Sequence, residues 1–382
     1  MFRSLLRPSS SALRALSVSR HLLLRHATTA ASTPAAKPNI KLIAEIRKTI
    51  EGISMMKAKE ALIQTNNDLE KALEWVREDE AKSGLKKAEK LKDRQALEGL
   101  VGVVVGNVGE HGNRGAIVEV NCETDFVSRN DLFKSLVSQI ASTALLVVDG
   151  PSAGSSDQKG LTQEVLIADL LQAPILPDPT PAAAGTEAPV QQEFGTVQES
   201  ITKMIGKLGE NISLRRCAVV NIPENQRGLV LTGGATHGGD KHPYTGKMGA
   251  ISVLTLVSKQ GGSKKVVPSA AVTTLSRQLT RHMIASPSIT IYQEDCKIPL
   301  EISNGGHAPP EEVDAWLDER VLMRQPFIFG GGKVEQVIAK VSKDEGLRIK
   351  VVDALRWERG EGMVKAETVD FAEEVRRQIE NK

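Results

Sequence analysis

Cysteine is nearly absent: Cys122, Cys217 and Cys296 are the only three in 382 residues. No two form a CxxC pair and the number is odd. That excludes a disulfide framework and a thiolate zinc site, and it fits a reducing compartment. Aromatic residues make up 3% of the chain, so its cores must be built from Val, Ile, Leu and Ala. No run of about 18 apolar residues occurs, so no membrane span is expected. Acids are missing from residues 1–36, which carry Arg3, Arg7, Arg14, Arg20 and Arg25; the first carboxylate is Glu45. The formal charge of +2 therefore misleads. Without those five arginines 44 Lys+Arg face 47 Asp+Glu, a net charge of −3. A mildly acidic body argues against direct binding of nucleic acid through its phosphates.

Catalytic signatures are also missing. Phe329-Gly330-Gly331-Gly332-Lys333 has the look of a phosphate loop. But Val334 stands where a Ser or Thr hydroxyl is needed, and Phe327 where the first Gly is needed. A Gly-rich turn before a helix is the better reading. His237 and His242 are five apart, with no HExxH pattern and no nearby Cys, so a solvated loop outweighs a metal site. No nucleophile elbow or Ser-His-Asp arrangement is present. No catalytic residue, cofactor or metal ligand is assigned.

What is there begins with an address. Leu5, Leu6, Leu13, Leu16, Leu22, Leu23 and Leu24 would form an apolar helical face beside the arginines. Residues 1–36 read as a mitochondrial transit peptide, which predicts a location in the mitochondrial matrix.

Residues 37–82 then read as three short helices. Ile40, Ile43 and Ile46 space one apolar face; Met55, Met56, Ala58, Ala61 and Leu62 carry a second helix. Asn67 with Glu70 reads as the capping box of a third. A bundle this small resembles a ubiquitin-associated domain. Residues 83–97 read as a linker, whose Lys-rich part, 82–94, would be a linker or an exposed helix.

The pattern next turns to strands. Gly99–Val105 and Gly115–Val120 predict a hairpin, and Asn130–Val148 an amphipathic helix. Residues 150–195, dense in Pro, Ala, Gly and Ser, read as a long loop or disordered insert in which Val165–Leu171 would form one short helix. Val197–Leu208 predicts a helix stopped by Gly209, Ile212–Ile222 a strand, Gly233–Gly249 a Gly/His loop and Ala250–Val257 a strand. Helices are predicted over Ser269–Ala285, Glu311–Met323, Val334–Ser342 and Thr368–Ile379, with a strand near Ile349–Arg356. The fold class is α+β: the three-helix bundle, then two α+β subdomains, 98–220 and 221–366, each a small antiparallel sheet packed by helices, then a terminal helix in 367–382.

One stretch stands out: Asn121-Cys122-Glu123-Thr124-Asp125-Phe126-Val127, where a strand should end and a helix begin. Thr124 or Ser128 would cap backbone there, and Phe126 beside Asp125 would offer an apolar wedge next to an anion. On pattern alone, a core position for Phe126 is favoured.

This stretch resembles the Thr-Asp-Phe-Val signature of the elongation factor Ts family. The likeness continues, in the family's order, in Gly206-Lys207-Leu208-Gly209-Glu210-Asn211-Ile212-Ser213-Leu214-Arg215-Arg216, Gln325-Pro326-Phe327-Ile328, Gly360-Glu361-Gly362 and Val369-Asp370-Phe371-Ala372. Ser54-Met55-Met56 and Lys59-Glu60-Ala61-Leu62 match in the bundle.

The resemblance implies a non-catalytic guanine nucleotide exchange factor for mitochondrial elongation factor Tu. Thr124, Asp125, Phe126 and Val127 would contact that GTPase, with Asp125 and Phe126 entering near its magnesium and phosphate site. Met55 and Met56 would touch the same domain, Phe371 would pack on it, and His237, or His242 in its place, would reach another domain. The family usually has Thr-Gly before the Met pair and Asp-Cys after it; here the run is Thr49-Ile50-Glu51-Gly52-Ile53-Ser54, then Lys57-Ala58, which implies a lengthened turn. The family's coiled-coil protrusion would fall near 299–322, here short and rich in Pro and Gly, which argues against self-dimerisation through it. The rival readings are a ubiquitin-associated-domain adaptor without exchange activity, and a small-molecule enzyme using the Gly/His loop, which lacks a convincing acid-base pair.

Overall fold

The computed structural model describes residues 37–50, 53–107, 112–147, 161–180, 195–223, 226, 228–240, 242–259, 266–303 and 307–364. The expected transit peptide, the expected terminal helix and Phe371 lie outside the described residues. The chain divides into two compact units, Met1–Leu73 and Glu74–Lys382.

The first unit holds α1 (Ile40–Thr49), α2 (Met55–Gln64) and the start of α3 (Leu69–Leu91). Its core is small: Ile46, Ile53, Ala58, Ala61, Leu62 and Ala72 are buried. Ile40, expected on the apolar face, is exposed. The α3 cap is Asp68 and not Asn67, since the Asp68 carboxylate accepts from Lys71 N at 3.2 Å. Asn67 takes a positive φ of 61°, and its side chain instead holds the entry to α1 through Asn39 N and Lys37 O.

Of the two readings of the Lys-rich stretch, the helix holds and the linker over 83–97 is corrected: α3 continues to Leu91. Lysine and alanine are good helix formers, and the Lys82–Glu78 pair adds support at i, i+4. Gly84 sits where this helix passes closest to α7 (Val197–Leu208). A Cβ there would come 2.9 Å from the Thr202 carbonyl oxygen.

In the second unit β1 (Glu98–Asn107) and β2 (Asn113–Cys122) form the expected hairpin, in register from Glu98↔Cys122 to Asn107↔Asn113. A short α4 (Asp125–Arg129) and the long α5 (Asp131–Val147) follow. Next come β3 (Thr162–Glu164), α6 (Ile167–Gln172), then α7 and β4 (Ile212–Val220). The reading of 150–195 as a long loop or disordered insert is thus overturned for residues 161–180, where the short helix expected over Val165–Leu171 is present as α6. Strand β3 pairs with β4, and Val165, Leu170, Ala173 and Ile175 are buried in the same core as α5. Proline density hid the strand and the packing of this segment; Val165, Leu170, Ala173 and Ile175 turn inward while Leu166 stays 62% exposed.

The chain continues through β5 (Leu229–His237), β6 (Thr245–Gly246), β7 (Met248–Ser258), α8 (Ala270–Ala285), α9 (Leu300–Ser303), α10 (Pro310–Arg320), α11 (Val334–Asp344) and β8 (Leu347–Glu358). Strands order as β3-β4-β2-β1-β6 in one sheet and β5-β7-β8 in the other. The expected Gly/His loop over Gly233–Gly249 is corrected by β5 and β6. Its glycines serve a sheet-to-sheet contact: a Cβ on Gly234 would lie 2.6 Å from Val105, and one on Gly249 2.6 Å from Val101. The expected boundary near residue 220 falls between the two sheets, but β6 from beyond it pairs with β1.

The layers run helix, sheet, sheet, helix. Helices α5 and α7 cover the first sheet around Phe133, Leu136, Ile140 and Ile201. Helices α8 and α11 cover the second around Leu254, Leu275, Leu279 and Ile338. Val101, Val103, Ile117, Val230, Ile251 and Val253 fill the space between the sheets. Both faces of the central strands are buried, so they read as nearly continuous β-branched runs.

One buried ion cluster closes the layers. Glu119 on β2 is fully buried and accepts from Arg215 Nη1 at 2.9 Å, Arg216 Nε at 2.6 Å and the Gly360 amide at 2.7 Å. Arg216 also stacks 4.4 Å over the Trp357 ring. The end of β8 is thereby fastened to β2 and β4.

Candidate partner-binding site

Strand β2 ends at Cys122 and α4 begins at Asp125, so the chain turns in two residues. Thr124 is the cap: its backbone is extended, and Oγ1 accepts from Val127 N at 3.4 Å. The same hydroxyl donates to Glu210 Oε1 at 2.5 Å, while the Thr124 amide donates to Glu210 Oε2 at 3.0 Å. Next to it, Glu123 accepts from the Asn211 amide at 2.6 Å. The Asn211 side chain donates to the Arg94 carbonyl at 2.7 Å. Two other chain segments, residues 210–211 and Arg94, therefore brace the turn.

Val127 and Ser128 point inward, with Val127 only 7% exposed among the core residues of the first sheet. Asp125 and Phe126 point the other way. The Asp125 carboxylate pairs with Arg129 at 2.9 Å and stays partly open to solvent. Phe126 is 81% exposed. The core position favoured by pattern is corrected: the inward-facing place on this turn is taken by Val127. A single exposed apolar residue is ordinary on a protein surface. A phenyl ring exposed on a turn fixed by charge-assisted hydrogen bonds is held in place before any contact is made.

The other expected contact residues lie on other elements. Met55 and Met56 open α2 just after its cap Ser54, at 62% and 77% exposure. Their helix buries Ala58, Ala61 and Leu62 instead. His237 ends β5 opposite Met248 and is exposed. His242 is half-buried, near Thr180 Oγ1 at 3.4 Å and the Tyr244 amide at 3.4 Å. Burial holds the His242 imidazole below its ordinary pKa, against an opposing pull from Asp178.

Nothing here favours bond-making chemistry. Burial pushes the Cys122 thiol up to about 12, helped by Glu210 and Glu98, and burial does the same to Cys217. Both stay protonated and unreactive at neutral pH. Lys333, in the Gly-rich turn, is spent on Asp318 at 2.9 Å.

Sequence reasoning missed Glu210 and Asn211 as the turn's supports. The signal was available: they follow Gly209, whose left-handed backbone ends α7 and returns the chain toward β2.

A family profile described as Elongation factor TS matches residues 123–298. A protein named "Elongation factor Ts, mitochondrial" from Laccaria bicolor is 34% identical over 359 residues, 88% of this chain and 95% of its own length. One of the same name from Coprinopsis cinerea is 37% identical over 270 residues, 68% and 76% of the two chains. "Elongation factor Ts" of Maricaulis maris is 31% identical over 355 residues, covering 87% and 96%.

Proposed function

The chain belongs to the elongation factor Ts family of translation elongation factors, and on that premise we propose that it is the guanine nucleotide exchange factor for mitochondrial elongation factor Tu. The observation that carries the reading is Phe126, 81% exposed beside Asp125 on a clamped turn. Inserted between helices of the GTPase, the ring would gain about 1.5–3 kcal/mol from burial. Asp125 would arrive with it and repel the magnesium-bound phosphates. The factor then stabilises the nucleotide-free GTPase, and by linkage nucleotide weakens factor binding by the same ratio. Exchange is a cycle of mutual displacement and needs no catalytic group on this chain.

Met55 and Met56 are proposed as a second contact with the GTPase domain, and His237 and Phe371 as further ones. Mitochondrial location is supported by the names of two relatives and by the five arginines and no acid of residues 1–36; the matrix is proposed as the compartment. The experiment is release of labelled GDP from mitochondrial elongation factor Tu with and without the chain. Acceleration is expected; an unchanged rate overturns the reading.

A further inference from the structure

A shallow hollow of about 320 Å³ lies at the end of β5. It is lined by the backbone of Gly234–Gly239, by His237 and His242, and by Arg277 and Arg281 from α8. The two arginines are one helical turn apart, which sets their Cβ atoms about 5–6 Å from each other on one face. Both are exposed. Neither has a hydrogen-bond or ion-pair partner among the described residues, unlike Arg324, which holds Asp314 and Asp318. No carboxylate is among the lining residues. The nearby Asp240 faces Lys134 instead, at 4.0 Å.

Two unpaired guanidiniums on one helix face, over an acid-free hollow, are a local positive site on a mildly acidic body. Guanidinium forks match carboxylates bidentately. Small-molecule pockets are enclosed and mainly apolar. This hollow is open to solvent and rimmed by guanidinium, imidazole and backbone, which suits a protruding loop of another protein.

We propose that Arg277 and Arg281 of α8, with His237 at the end of β5 lining the same hollow, form a recognition site for an acidic segment of the GTPase partner. The inference rests on the exchange reading above. The pair selects the partner and speeds its arrival, as charges at an interface do.

The test uses the full chain and elongation factor Tu. Wild-type chain is first assayed for stimulated GDP release. Association is then followed over a series of salt concentrations for wild type, Arg277→Gln/Arg281→Gln and Arg277→Glu/Arg281→Glu. The neutral pair is expected to raise Kd about tenfold and the reversed pair on the order of a hundredfold, mainly through a slower on-rate with a flatter salt dependence. Both arginines point into solvent, so thermal melts should match wild type. Unchanged Kd and salt dependence in an otherwise active system overturn the inference and leave the exchange reading standing. Unchanged Kd together with binding of inorganic phosphate that the variants lose would assign the hollow to a free anion and overturn a protein occupant. Failure of the wild-type chain to speed GDP release overturns both.

Discussion

Glu210 holds Thr124 with both carboxylate oxygens, one on the hydroxyl at 2.5 Å and one on the backbone amide at 3.0 Å. The exposed Phe126 ring is two residues from this clamp and makes no part of it. Rigidity and contact are thus divided between neighbours: Thr124 and Val127 fix the turn, and Asp125 and Phe126 are displayed by it.

That division predicts a loss of exchange without loss of the ring. Glu210→Ala removes two charge-assisted hydrogen bonds, each worth roughly 1.5–3 kcal/mol at most in a partly exposed place. Stability should fall by about 1–3 kcal/mol in urea unfolding. Stimulated GDP release should slow about tenfold, because the ring must be ordered on binding. Wild-type exchange by Glu210→Ala would show that the clamp has no functional part.

The segment 161–180 should prove indispensable. Leu170 is 1% exposed in the core under α6. Leu170→Ala should cost about 2–5 kcal/mol, read as a shift of the urea midpoint. A Gly/Ser linker in place of residues 161–180 should yield insoluble or molten protein. A soluble, cooperatively melting product would contradict the role of β3 and α6 in the core.

His282 should make the fold acid-sensitive. Its ring is fully buried against Phe327, with Nε2 2.9 Å from Gln325 Oε1 and Nδ1 without a partner. Gln325 donates its amide to the Pro287 and Glu319 carbonyls, so its oxygen accepts and His282 Nε2 carries the proton. A second proton on Nδ1 would meet no acceptor. Burial accordingly holds the pKa below the usual 6.5, against a smaller opposing effect of the Gln325 hydrogen bond. The unfolded chain binds the proton more readily, so stability is full above about pH 6.5 and declines as pH falls toward the folded value. His242 acts in the same direction. Urea midpoints at pH 7.5 and 5.5 should differ less in His282→Gln than in wild type. An equal drop in both would remove His282 as the cause.

Much of this architecture was legible. The β1–β2 hairpin, α5, α7 with its Gly209 stop and α8 followed from periodicity and caps, because those signals are local. What stayed hidden depended on neighbours distant in sequence. Gly234 reads as loop until Val105 is seen to occupy the space of its missing Cβ. Thr162–Glu164 reads as part of a Pro-rich insert until β3 pairs with β4. Phe126 reads as core because pattern cannot tell which of two adjacent apolar residues, Phe126 or Val127, faces inward. The Glu210 clamp spans 86 positions, beyond any window of periodicity.

The central claim is that Phe126 acts on a partner and not on the fold. Phe126→Ala is tested by thermal melting and by release of labelled GDP from elongation factor Tu, on one sample. An 81%-exposed ring leaves no cavity when truncated, so the melt should match wild type. As an interface anchor its loss should cost about 2–4 kcal/mol of binding, and stimulated release should slow at least roughly tenfold. A normal melt with a normal release rate would contradict the account.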